Sequence, residues 1–384
     1  MRLPLLALAM VGCADTSTTT DTDPAGIDLE FTYVVELPDH YLNSSPVAGM
    51  GGMTPPGFNA PMDVDNTPAN NPTTDEGAAL GRLLFYDKNL SQNGTVACAS
   101  CHKAEFGFSD NKVLSKGFDD GDTGRNSMNI VNSRFYFNGK FFWDQRAESL
   151  EAQVLMPFQD PVEMGMTLDE VVQRVDEEPR YDELLEATFG DTEVTSDRIS
   201  KALAQFVRSI VSTTAKYDEG RAQVDGILDP FPNFSASENA GKELFYAPPP
   251  LGGLGCAHCH GSDAQVANLA ISNGLDATVT DAGYGEVSGV PRDQGTFKVP
   301  SLRNIAVTGP YMHDGRFNTL DEVLTHYSDN IQFHETLLPF LTTGDGGVRP
   351  LDLTATERAD LLAFLNTLTD TKLMEDPKFG DPGW

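Results

Sequence analysis

From Thr74 onward, apolar positions recur at spacings of three and four residues, the period of an α-helix rather than a strand. The clearest stretch is Ser196 to Thr214, where Ile199, Leu203, Phe206 and Ile210 share one face and Ser196 stands as the cap. Thr167-Leu168-Asp169-Glu170 and Thr319-Leu320-Asp321-Glu322 carry the capping-box pattern at the head of apolar runs. In that pattern a hydroxyl and a carboxylate three residues on satisfy each other's backbone N–H groups. No stretch alternates for long enough to predict a substantial sheet. The expected fold class is mainly α.

Ahead of Thr74 the pattern changes. Met1-Arg2 leads into an apolar run from Leu3 to Val11, then Gly12-Cys13 and a Thr/Asp-rich stretch. This predicts a signal peptide of the lipoprotein type, residues 1–13, with Cys13 lipid-modified. The body would then be exported to the periplasm and anchored to the outer membrane. Residues 14–72 read as a flexible acidic tether and an irregular wrapping segment, because Pro, Gly, Asn and Met crowd its second half. No apolar run approaches the roughly 20 residues of a transmembrane helix.

Charge narrows the partners. The chain has 26 Lys and Arg against 57 Asp and Glu, a net charge of −31, with 40% hydrophobic residues. That is an acidic globular protein; its charge argues against nucleic acid and is compatible with a basic partner. Its 384 residues exceed what one hydrophobic core usually organises.

Four of the five cysteines fall into two clusters, which is no disulfide framework. Cys98-Ala99-Ser100-Cys101-His102 and Cys256-Ala257-His258-Cys259-His260 are both C-x-x-C-H. Two thiols at that spacing reach both vinyl groups of one porphyrin, and the next residue sets an imidazole beneath the iron. A zinc ribbon separates its pairs by about 15–20 residues, whereas 154 lie between Cys101 and Cys256. A redox dithiol needs no histidine directly afterward. The motifs therefore predict two covalent c-type haems, with His102 and His260 as proximal ligands. Gly81-Arg82-Leu83-Leu84-Phe85-Tyr86 precedes one motif and Gly241-Lys242-Glu243-Leu244-Phe245-Tyr246 the other. A duplicated helical unit follows: two cytochrome-c-like helical domains, 73–215 and 216–345, each with one covalent haem. Residues 346–384 supply a C-terminal helix and tail available to pack back on the first domain.

Between and after the motifs the chain resembles the bacterial di-haem cytochrome c peroxidase family, which includes the methylamine dehydrogenase maturase. The resemblance runs from about Thr74 to Tyr327. It rests on Leu80 to Phe85, Arg125-Asn126-Ser127, Phe142-Trp143-Asp144-Gln145-Arg146, Pro161-Val162-Glu163-Met164, Pro300-Ser301-Leu302-Arg303-Asn304 and Pro310 to Gly315. It implies a peroxidatic N-terminal haem and an electron-relaying C-terminal haem. Glu163 matches the distal carboxylate that shuttles the peroxide proton, Gln153 a distal amide, and Trp143 the aromatic between the haems. Asn126, Thr308 and Pro310 match residues that give oxygens to a calcium ion. Gln145 stands where the family has Gly, a departure expected to act on a local turn.

Two further departures point to the maturase-like branch. The family's distal histidine is matched by Phe118, which cannot ligate iron, and no histidine occurs between His102 and His258. At the second haem the usual axial methionine is matched by Tyr327, with Met312 as the alternative ligand. Leu320, Val323, Leu324 and Tyr327 share one helical face, which is expected to point inward. The resemblance implies reduction of hydrogen peroxide to water with electrons from a small c-type cytochrome or copper protein, and is compatible with a homodimer. The alternatives are oxidation of a partner protein's residues through high-valent iron, and a di-haem electron carrier without enzymatic activity.

Overall fold

The computed structural model describes residues 31–44, 59–266 and 269–383. The predicted signal peptide, with Cys13, and much of the tether lie outside them. Helices of eight residues or more are α1 (Asp75–Tyr86), α2 (Leu150–Gln159), α3 (Leu168–Asp176), α4 (Asp182–Phe189), α5 (Ser196–Ser209), α6 (Ala236–Tyr246), α7 (Leu320–Asp329) and α8 (Ala355–Asn366). Among the described residues the only sheet is a two-residue antiparallel ladder, β1 (Ala270–Ile271) on β2 (Phe297–Lys298). None of the described helices is long and apolar enough to cross a membrane.

Both capping boxes form, Thr167 with Glu170 on α3 and Thr319 with Glu322 on α7. The long amphipathic segment differs from its sequence pattern at both ends. Thr195, not Ser196, is the cap, accepting from the Arg198 N–H, and the helix stops at Ser209. Ile210 to Thr214 keep the apolar pattern without the helix. There Asn132 takes over the backbone, its N–H donating to the Ile210 carbonyl and its Oδ1 accepting from the Ser212 N–H, both at 3.0 Å.

The repeat has a physical basis. α1 crosses α5, and a methyl group on Gly81 would overlap the Ala202 carbonyl oxygen; α6 crosses α8, and one on Gly241 would overlap the Asp360 carbonyl oxygen. In each copy only glycine lets the two backbones meet. The copies also match where the sequence no longer shows it. Asn304 donates from its N–H to the Leu368 carbonyl and accepts from the Asp370 N–H (3.0 and 2.7 Å), repeating what Asn132 does at Ile210 and Ser212. Phe141 pairs with Ala147 as Tyr311 pairs with Phe317. Within those loops Phe142 and Met312 share positive φ (67° and 76°), as do Gln145 and Gly315 (56° and 66°). Gln145 thus adopts the left-handed backbone that glycine adopts without steric cost, and the turn keeps its shape.

Each copy has its own large apolar cluster. α8 packs on α6 and, with Leu368 just after it, completes the second cluster; the last residues of the chain reach the first. Leu373 and Phe379 bury there, Arg82 donates to the Gly380 and Pro377 carbonyls (2.8 Å each), and Tyr86 donates to the Phe379 carbonyl (2.6 Å). Within the second copy Arg303, fully buried, pairs with Asp218 at 2.6 Å, and His40 of the N-terminal segment meets the same carboxylate at 3.1 Å.

Candidate active site

Cys98-Ala99-Ser100-Cys101 forms a single helical turn that ends on His102. Both thiols and the imidazole line two adjoining cavities or their shared wall. His102 Nδ1 lies 3.2 Å from the Phe108 carbonyl and 3.4 Å from Ser127 Oγ, so Nε2 is the nitrogen left toward the cavity. A backbone acceptor on one ring nitrogen fixes the tautomer and raises the basicity of the other, as an iron ligand requires. Desolvation lowers the pKa of His102, and lowers that of His260 to about 4, so both rings are neutral at pH 7.

The second motif opens on a largely apolar cavity lined by Cys256, Cys259 and His260. The four clustered cysteines are free, and burial pushes Cys98 and Cys256 up to about 12 and Cys101 and Cys259 to about 11. Zinc and dithiol chemistry need thiolates, which these surroundings oppose. Among the described residues no three His, Cys, Asp or Glu side chains converge as a metal site. Half-buried neutral thiols beside a cavity, each pair followed by a neutral imidazole, fit covalent haem.

The distal side of the first cavity is built by α2 and the turn after it. Ser149 caps α2 by accepting from the Ala152 N–H (3.1 Å), and one turn on Gln153 faces the cavity. Asp160 Oδ1 accepts from the Val162 and Glu163 N–H groups (2.8 and 3.1 Å), and the Glu163 carbonyl accepts from the Phe118 N–H (3.0 Å). Gly117 allows that approach, since a methyl there would overlap the Val162 carbonyl oxygen. Glu163 therefore sits on a fixed turn with its side chain in the cavity wall beside Gln153. Burial, reinforced by Asp160 and opposed by Arg146, raises its carboxyl to about 7.

Phe118 lies beside the same turn, but its ring packs over Gly165 and does not line either cavity. His102 is the only histidine lining them among the described residues.

Trp143 lines both the cavity of the first motif and that of the second. Its indole N–H donates to the Asn126 carbonyl (2.8 Å), and its own carbonyl accepts from the Lys298 N–H (2.7 Å). Nearby Arg125 bridges the copies, donating twice to Asp281 (2.8 Å each) and once to Asp144 (2.6 Å). In the second cavity Leu320, Val323, Leu324 and Tyr327 of α7 all face inward, as their spacing predicts. Tyr327 and Met312 are neighbours there: the Asn273 amide nitrogen lies 3.3 Å from Tyr327 Oη and 3.5 Å from Met312 Sδ. Burial pushes the Tyr327 hydroxyl up to about 12. Asn126 commits its side-chain nitrogen to the Lys112 and Val113 carbonyls (3.0 and 3.2 Å), which leaves Oδ1 as its oxygen donor.

Sequence reasoning missed Lys298, Asn273, His313 and Asp281.

A family model described as di-haem cytochrome c peroxidase matches residues 75–224. The chain is 35% identical to methylamine utilization protein MauG of Methylorubrum extorquens, over 81% of this chain and 83% of that one. It is 34% identical to cytochrome c551 peroxidase of Nitrosomonas europaea, over 66% and 73%. The crystal structure of a MauG-like protein associated with microbial copper homeostasis superposes with a TM-score of 0.70 at 34% identity, covering 83% of this chain and 96% of that one. The chain belongs to the di-haem cytochrome c peroxidase family, as a MauG-like member. Membership makes it an oxidoreductase and implies two c-type haems, a peroxide substrate and a redox partner protein.

Proposed function

We propose that this protein reduces hydrogen peroxide to water at the first C-x-x-C-H motif, with electrons from a small redox protein entering at the second. The observation that carries the reading is Glu163, a carboxyl with pKa about 7 on a fixed turn in the wall of the cavity that holds His102. An acid–base group poised near the working pH both accepts and returns a proton efficiently. Haem iron held by His102 would supply the redox chemistry of O–O cleavage. Glu163 takes the proton from the peroxide oxygen nearer His102 and returns it to the departing oxygen, so that water leaves rather than hydroxide. Gln153 holds the peroxide by its amide. Two electrons and two protons complete the conversion to two waters, and Trp143 is the aromatic through which the electrons pass.

Tyr327 favours a second reading, in which the same centre oxidises residues of a partner protein. If Tyr327 held the second haem as a phenolate it would favour oxidised iron, where Met312 would favour storing electrons. Similarity to MauG supports the same reading. Our proposal extends to a calcium ion held by Asn126, Thr308 and Pro310 between the two copies, to domains divided near residues 215 and 345, and to a periplasmic location with Cys13 as the lipid anchor.

The test is peroxide consumption by the two-haem protein supplied with a reduced small cytochrome or copper protein. Sustained donor oxidation at two electrons per peroxide is the expected result. Inertness toward peroxide overturns the proposal, and poor donor turnover with covalent change in a co-expressed partner transfers it to the second reading.

A further inference from the structure

Lys298, at the end of β2, is 2% exposed, and no atom among the described residues accepts a hydrogen bond from its Nζ. Its backbone N–H bonds the Trp143 carbonyl, and its side chain lines the cavities of both motifs. Nζ stands 3.0 Å from the centroid of the Tyr136 ring and 5.3 Å from that of Phe141. Both rings line the cavity of the first motif and not that of the second. The ammonium therefore faces the side of His102.

Taking an ammonium out of water costs more than contact with an aromatic face returns. An anion is needed to hold the charge. A c-type haem brings two: its propionate carboxylates, on the edge of the macrocycle away from the vinyl groups that the cysteines take.

We propose that the Lys298 ammonium pairs with a propionate of the haem attached at Cys98 and Cys101, and through it raises the potential of that haem. This rests on haem attachment at the first motif and not on the peroxidase reading. A positive charge near the iron favours the ferrous state, and a paired propionate no longer opposes it. Lys298 is thus a positioning and tuning residue, acting through the haem edge.

The experiment is a spectroelectrochemical titration of the two-haem protein as wild type, Lys298→Met and Lys298→Arg, with haem content checked by pyridine haemochrome. In Lys298→Met the ferric-to-ferrous ratio of the first haem should rise about tenfold at fixed potential, a fall of about 59 mV for one electron. The second haem should change less, and Lys298→Arg should recover most of the shift. The Met variant should also gain a pH-dependent first-haem potential, because its unpaired propionate takes up a proton on reduction. An unchanged first-haem potential, or a shift confined to the second haem, overturns the assignment. Should the Met variant fail to load haem, Lys298→Gln compared with Lys298→Arg makes the same measurement, and equal potentials in those two overturn it.

Discussion

Trp143 meets His313 edge to face across the join between the two cavities, with ring centroids 6.4 Å apart and planes at 69°. His313 in turn stacks on Phe297, centroids 3.7 Å apart. The two residues occupy equivalent places in the two copies of one loop, so the duplication itself brings an aromatic from each copy to the join.

If electrons cross at this point, Trp143→Phe should slow donor-driven turnover by about tenfold, a barrier change of about 1.4 kcal/mol. Both haems should remain attached, because the cysteine turns do not depend on the indole. Stopped-flow reoxidation of each haem by peroxide separates the two effects. Equal rates in variant and wild type would remove Trp143 from the path.

Glu163→Gln should lower the rate of peroxide cleavage by about 10²–10⁴ with haem content unchanged. The proton-accepting form of Glu163 is the carboxylate, and its carboxyl is raised to about 7. The wild-type rate should therefore climb as pH rises through that value and fall as the carboxylate is protonated below it. The Gln variant should be flat over the same interval.

Phe118 packs away from the cavity, and among the described residues His102 is the only histidine in its wall. One equivalent of peroxide should thus give a rapid Soret change with the fully ferric protein, before any donor is added. A ferric protein that is wholly low-spin and reacts only after partial reduction would show that another side chain reaches the iron.

Tyr327 and Met312 share the Asn273 amide, so either could approach the second iron. Tyr327→Phe should change the spectrum and raise the potential of the second haem, with Met312→Leu leaving both nearly unaltered. The reverse pattern would give the ligand to Met312 and weaken the case for oxidation of a partner protein.

Gly81→Ala and Gly241→Ala should each destabilise the fold by about 1–3 kcal/mol, the usual cost of overpacking. Gly344, with no atom near its missing side chain, is the control, and Gly344→Ala should be close to neutral in the same denaturant titration.

The covalent part of the site was legible because attachment demands adjacent residues: C-x-x-C-H must be contiguous to work at all. The inward face of α7 was legible for a similar reason, since Leu320, Val323, Leu324 and Tyr327 lie on one helix where spacing dictates direction. The second repeat was not. Trp143-Asp144-Gln145-Arg146 and His313-Asp314-Gly315-Arg316 share only Asp and Arg, and their equivalence lives in backbone angles and in the Asn132 and Asn304 bonds. The end of α5 misled because Ile210 and Val211 are apolar in either conformation. What distinguishes them is a side chain 80 positions away from Ser212. Lys298 was hidden because one lysine in a short apolar run reads as an exposed residue until its surroundings are known.

The C-terminal tail gives the first motif a dependence on the order of synthesis. Phe379 packs against Phe108 with planes at 90°, and the Phe108 carbonyl is the acceptor that orients His102. Phe379 follows Cys101 by 278 positions. A chain emerging from its N-terminus presents both thiols of that motif long before the residues that seal their unit have been made. The packing behind the Phe108 carbonyl, and so behind the orientation of His102, is therefore completed only when the last-made residues are in place.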